Sequence, residues 1–139
     1  MTSAPSLQSS QFFFQKQINR YTILVVDDDQ SVRENVTQYL KFSGYNVLVV
    51  ETGAEALALI ELHPIDLIFL DVALPAMDSL AICAAIRKNY EIPIIMLTGQ
   101  SMLDYAARAF QLGADGYITK PFALRTLSMR IEGALHTNF

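Results

Sequence analysis

The stretch that most constrains the fold is Leu67-Ile-Phe-Leu-Asp71, four apolar residues between Pro64 and Pro75 that end in an acid. Successive side chains of a strand point to opposite faces, so an unbroken apolar run needs cover on both. A strand inside a parallel sheet with helices on each side meets that need. Other runs repeat the pattern. Tyr21 to Val26 carries Ile23-Leu-Val-Val and stops at Asp27-Asp28-Asp29, Ile92 to Leu97 stops at Thr98-Gly99, and Tyr117 to Thr119 leads into Lys120-Pro121-Phe122. Tyr45 to Val50 supplies the remaining strand.

Between the strands the apolar period becomes helical. Val32, Val36, Tyr39 and Leu40 form one face, behind Ser31 with Glu34 three residues on, the pattern of a capping box, and the face stops at Ser43-Gly44. Ala56, Leu57 and Ile60 form a second within Gly53 to Leu62, with His63 expected to cap its end before Pro64. Leu80 to Ile86 is a third, followed by Arg87-Lys88-Asn89, whose cations suit a helix C-terminus. A fourth helix is expected from about Asp104 to Leu112, stopping at Gly113, and Leu124, Leu127, Ile131 and Leu135 mark a fifth. Strands alternating with helices predict an α/β fold, a doubly wound five-stranded parallel sheet. One domain is expected over residues 21–137. Residues 1–20 read as a mobile N-terminal tail, rich in Ser and Gln and without a sustained period. Phe12-Phe13-Phe14 stands apart within it, as aromatic residues that either dock on the domain or meet a partner.

Composition removes several function classes. A net charge of -4, with ten scattered Lys and Arg, offers no basic stripe for nucleic acid. No apolar run reaches the roughly 18 residues of a membrane span, and residues 1–20 lack the order of a secretory signal. The single Cys83 has no internal disulfide partner and sits in an apolar stretch, so a cytoplasmic setting is expected.

In a doubly wound sheet the carboxyl ends of the strands share one edge, where ligands bind. Asp27, Asp28, Asp71, Thr98 and Lys120 would then meet in one crevice, although each alone reads equally well as a turn, cap or surface residue. Neighbouring carboxylates repel by about 1 kcal/mol at 4 Å in water and about 4 at an effective dielectric near 20. A hard divalent cation offsets this, and Mg²⁺ takes one or two carboxylates while leaving positions for phosphate oxygens. With an ammonium from Lys120 and a hydroxyl from Thr98, the set suits phosphoryl transfer to a carboxylate.

The motifs Ile23-Leu-Val-Val-Asp-Asp-Asp29, Asp66-Leu-Ile-Phe-Leu-Asp71 with Pro75 and Met77-Asp78, Pro93-Ile-Ile-Met-Leu-Thr98, and Gly113-Ala-Asp-Gly-Tyr-Ile-Thr-Lys-Pro-Phe122 resemble a response regulator receiver domain of two-component signal transduction. The resemblance covers about Tyr21 to Leu135 and implies the flavodoxin-like receiver fold. It implies that Asp71 is the phosphoacceptor for a histidine kinase or histidine phosphotransfer protein, and that a downstream protein target reads the switched face. Mg²⁺ would be held by Asp27, Asp28, Asp71 and the backbone carbonyl of Ala73. Thr98 and Lys120 would bind the acyl phosphate oxygens, Thr98 and Tyr117 would form the switch, and the Lys120-Pro121 bond would be cis. The domain would be no enzyme beyond phosphoryl transfer to, and hydrolysis from, its own Asp71, and it would need no organic cofactor. Asp29, one place past the acidic pair, reads as a loop or cap residue.

Several positions depart from the family pattern. Ser79 stands where Gly is usual, Gly99 where Ala or Ser is usual, and Ala73 and Gln100 fill two variable positions beside the phosphoryl site. Winged-helix regulators of the family dimerise through cross-subunit ion pairs, one of which joins an acid just before the tyrosine to an arginine of the last helix. Arg130 is present here, but Gly116 takes the acid's place. The alternatives are a receiver-like interaction module that is never phosphorylated, and a haloacid-dehalogenase-like phosphatase with Asp27 as nucleophile and Asp29 as acid. The second leaves Asp71 idle. A flavin site of similar topology is disfavoured, because acids after the first strand repel a cofactor phosphate.

Overall fold

The computed structural model describes residues 21–75 and 77–135, so the expectations for the tail and Phe12-Phe13-Phe14 lie outside the described residues. The strands are β1 (Thr22–Val26), β2 (Asn46–Val50), β3 (Leu67–Asp71), β4 (Ile94–Thr98) and β5 (Gly116–Thr119). The helices are α1 (Gln30–Phe42), α2 (Gly53–Leu62), α3 (Ser79–Asn89), α4 (Leu103–Gln111) and α5 (Leu124–Leu135). The sheet order is β2-β1-β3-β4-β5 and every pairing is parallel. This is the doubly wound, flavodoxin-like arrangement, and the strand order reverses between β1 and β3.

Residues of one strand divide between two cores, as alternation requires. Leu24, Val26, Ile68, Leu70, Ile94 and Met96 pack with Ala56, Ile60, Ile82 and Ile86. Ile23, Val25, Leu67, Phe69, Ile95 and Leu97 pack with Val36, Leu40, Leu127 and Ile131. β3 and β4 are buried along their whole length, whereas edge strand β2 is half exposed. At about 1.5–3 kcal/mol per fully buried aliphatic side chain, the apolar residues of β3 and β4 make a substantial contribution from the centre of the sheet, shared with β1 and the helix faces packed on it.

The start of α1 differs from the sequence reading, whereas α2 begins at Gly53 as expected. Ser31 and Glu34 form no capping box; Asp29 is the N-cap of α1, accepting from the backbone N–H of Ser31 and Val32. A charged carboxylate is a stronger acceptor than the Ser31 hydroxyl, which itself donates to Asp29 at 2.9 Å. The capping box lies instead at Thr52 and Glu55, ahead of α2. A 3₁₀ turn over Gln100–Met102 precedes α4, which buries only Ala106 and Ala109. Gly44 and Gly113 have φ of 102° and 111°, the left-handed conformation that ends α1 and α4 where expected. His63 is the C-cap of α2, the Lys120-Pro121 bond is cis, and Cys83 is buried and free.

Candidate functional site

Asp27 and Asp28 follow β1, Asp71 and Thr98 close β3 and β4, and Lys120 follows β5. The parallel register pairs Val26 with Leu70, Asp71 with Leu97 and Thr98 with Thr119, so these strand ends lie level. Residues spread over the chain thus meet at the edge where the strand order reverses. One carboxylate oxygen from each of Asp27, Asp28 and Asp71 lies within 4.8 Å of the others.

Asp27 is 0% exposed, and both its carboxylate oxygens are engaged. Lys120 Nζ donates to Oδ2 at 2.8 Å and the backbone N–H of Asp29 to Oδ1 at 2.9 Å. Its main-chain carbonyl accepts from Arg33 at 3.0 Å, and Arg33 pairs in turn with Glu51 at 3.2 Å. Asp28 is exposed. Asp71 is 4% exposed; its Oδ1 accepts from the backbone N–H of Ala73 at 3.0 Å, and its Oδ2 stands 3.5 Å from Lys120 Nζ.

Burial pushes the Asp71 carboxyl up to about 6 and the charge of Asp27 adds to the rise, against the Ala73 N–H and Lys120, which lower it. Burial alone would depress Lys120, but its hydrogen bond to Asp27 and the charges of Asp27 and Asp71 outweigh it, and the ammonium is held above its usual range. The buried Thr98 hydroxyl donates to Gly99 O at 3.0 Å, and Lys120 N–H donates to Thr98 O at 2.7 Å, tying β5 to the crevice. Tyr117 lies outside the crevice. It is 39% exposed, edge-on to Phe110 with ring centroids 6.0 Å apart, and its carbonyl accepts from Arg130 at 2.9 Å.

The donor set fits a hard divalent cation. It is all oxygen, and it contains one exposed acid, one buried acid whose oxygens are already bonded, and one acid with an oxygen facing Lys120. Asp29, the acid of the phosphatase alternative, is the helix cap, and hydrogen bonds from the Ser31 hydroxyl and backbone hold its carboxyl below the usual range.

Three features escaped the sequence reading. The Ser79 hydroxyl donates to Asp71 O at 2.6 Å, Arg33 braces the loop of Asp27, and Tyr105 donates to Asp78, the N-cap of α3. Only the first had a signal, a hydroxyl where the family carries Gly.

Residues 23–132 match the family model described as Response regulator receiver domain. The "Probable transcriptional regulator ycf27" of Cyanidium caldarium is 42% identical over 117 residues, 84% of this chain and 47% of that protein. "Response regulator MprA" of Mycobacterium sp. (strain KMS) is 40% identical over 114 residues, 81% of this chain and 50% of that protein. The chain spans about half the length of the curated relatives it matches. Among solved structures, the receiver domain of the TMAO respiratory system response regulator TorR has a TM-score of 0.80 at 32% identity, covering 84% of this chain and 97% of that one. The receiver domain of NtrX from Brucella abortus has a TM-score of 0.79 at 34% identity, covering 84% and 99%. Strand order, the acids at the reversal point and similarity along most of the chain agree, and the chain belongs to the response regulator receiver domain family.

Proposed function

We propose that this receiver domain takes a phosphoryl group onto Asp71 from a histidine kinase or histidine phosphotransfer protein, and that the modified domain presents an altered face to a downstream protein. The observation that carries the reading is the meeting of Asp27, Asp28 and Asp71, with ligand atoms within 4.8 Å, and Lys120 Nζ at 2.8 and 3.5 Å from two of them. In the transfer, Asp71 Oδ2 forms the new O–P bond as the donor N–P bond breaks and the departing imidazole takes up a proton. The Ala73 N–H holds the other carboxylate oxygen and so aims the attacking one.

Asp27, Asp28, Asp71 and the backbone carbonyl of Ala73 would hold Mg²⁺. When bound, the ion supplies charge neutralisation at the phosphoryl oxygens. Lys120 would shift from its two acids toward the arriving phosphoryl oxygens, and Thr98 would turn its hydroxyl from Gly99 O to one of them. Tyr117, on the outer face of β5, would change rotamer in response.

Intact mass after incubation with acetyl phosphate or phosphoramidate tests the assignment. One phosphoryl adduct is expected, dependent on Mg²⁺, absent in EDTA and absent from Asp71→Asn. An adduct that persists in Asp71→Asn refutes Asp71 as acceptor, and failure of any adduct to form favours the unphosphorylated interaction module.

A further inference from the structure

Ser79 is the first residue of α3 and is 0% exposed. Its hydroxyl donates to the main-chain carbonyl of Asp71 at 2.6 Å, across eight residues of sequence. The last β1–β3 pair is Val26 with Leu70, so β1 has already ended where that carbonyl lies. A buried carbonyl without a partner is costly, and glycine at position 79 would remove this one's donor. Asp71 is therefore gripped twice on one side, by Ser79 at the backbone and by the Ala73 N–H at Oδ1, while Oδ2 faces Lys120.

We infer that Ser79 is a positioning residue for phosphoryl transfer, fixing the backbone from which the Asp71 carboxylate is aimed and coupling the start of α3 to it. The inference rests on Asp71 being the acceptor. A second bond joins the same helix start to α4, since Asp78 caps α3 and also accepts from Tyr105. Movement of the Asp71 carbonyl on modification thus has a direct route to α3 and α4.

The test compares wild type, Ser79→Ala, Ser79→Gly and Ser79→Thr for the rate of phosphorylation by phosphoramidate across a Mg²⁺ series, with Asp71→Asn alongside and thermal midpoints recorded. Loss of a positioning bond predicts a maximal rate lower by about five- to tenfold in the Ala and Gly variants, with half-saturating Mg²⁺ moved less than about twofold. Ser79→Thr, which keeps the hydroxyl, should recover most of the rate. Maximal rates within twofold of wild type in Ser79→Ala and Ser79→Gly, whatever happens to their midpoints, would overturn the inference. Should Ser79→Ala fold poorly, the Gly and Thr pair decides. Labelling of Asp71→Asn at the wild-type rate would instead overturn the acceptor assignment beneath it.

Discussion

Replacing Asp71 with Asn should stabilise the metal-free domain at neutral pH. Folding raises the Asp71 carboxyl from 3.8 to about 6, mainly through burial, so the native state disfavours its ionised form. Each tenfold weakening of its acidity corresponds to about 1.36 kcal/mol, which puts the full cost at about 3 kcal/mol. A raised carboxyl contributes no penalty below the unfolded value, a growing one as pH rises, and the whole of it above about 6. About half the cost is therefore present near pH 5 and nearly all near pH 7.5. Asparagine removes the titration and keeps an oxygen for the Ala73 N–H; it loses only the long 3.5 Å contact to Lys120. The expected gain is about 1–3 kcal/mol near pH 7.5, or roughly 4–15 °C in midpoint for a domain of this size, shrinking by about half near pH 5. Urea and thermal unfolding in EDTA at the two pH values measure it, and the difference between variant and wild type cancels the other carboxylates. A midpoint for Asp71→Asn at or below wild type near pH 7.5, or a gain equal at both pH values, would refute burial as the dominant cause.

Asp28 is exposed, so Asp28→Asn should raise metal-free stability by less than about 1 kcal/mol yet remove most of the Mg²⁺-induced rise in midpoint, as thermal shift with and without Mg²⁺ will show. Lys120→Met should cost about 3 kcal/mol or more by urea unfolding near pH 7, because the fully buried Asp27 loses its ion pair. The raised Lys120 ammonium contributes its stability at every pH below its ordinary value of 10.5, but Lys120 also lowers the Asp71 carboxyl, which titrates near 6, so the loss should grow as pH rises from 6 to 8. A Cβ at Gly53 would stand 2.0 and 2.6 Å from Ile82 Cδ1 and Cγ1, so Gly53→Ala should destabilise by about 1–2 kcal/mol, and Ile82→Val in the same chain should recover part of it in a double-mutant cycle. Arg130 already donates to Tyr117 O, and Gly116 offers it no acid, so sedimentation with and without beryllofluoride should show no dimer through the face of α4, β5 and α5 that depends on Arg130.

The site was legible because its parts are short-range statements about strands. Each apolar run ends where a polar residue begins, and parallel topology then carries Asp27, Asp28, Asp71, Thr98 and Lys120 to one edge without any knowledge of contacts. Helix starts were less legible where acceptors compete. Asp29 and Ser31 both suit an N-cap, and which carboxylate or hydroxyl reaches the free N–H groups depends on how the chain leaves β1. Side-chain contacts away from that edge were less legible. Arg87 donates to Gly113 O at 2.8 Å and pairs with Asp115 at 3.1 Å, 28 residues on, yet its sequence setting showed only a cation near a helix end.

The way α4 is anchored bears on its opening rate. Ala106 and Ala109 are the residues it buries, and a methyl group returns far less free energy on burial than the isoleucines of α3 or the leucine and isoleucine of α5. Amide protons of α4 should therefore exchange through local openings at a small fraction of the global unfolding free energy, while those of β3 and β4 wait for the whole domain to unfold. Because α4 follows the Gly99–Gln100 bend that leaves the crevice, exchange of its amides measured with and without Mg²⁺ would show whether the strand ends and this helix are coupled.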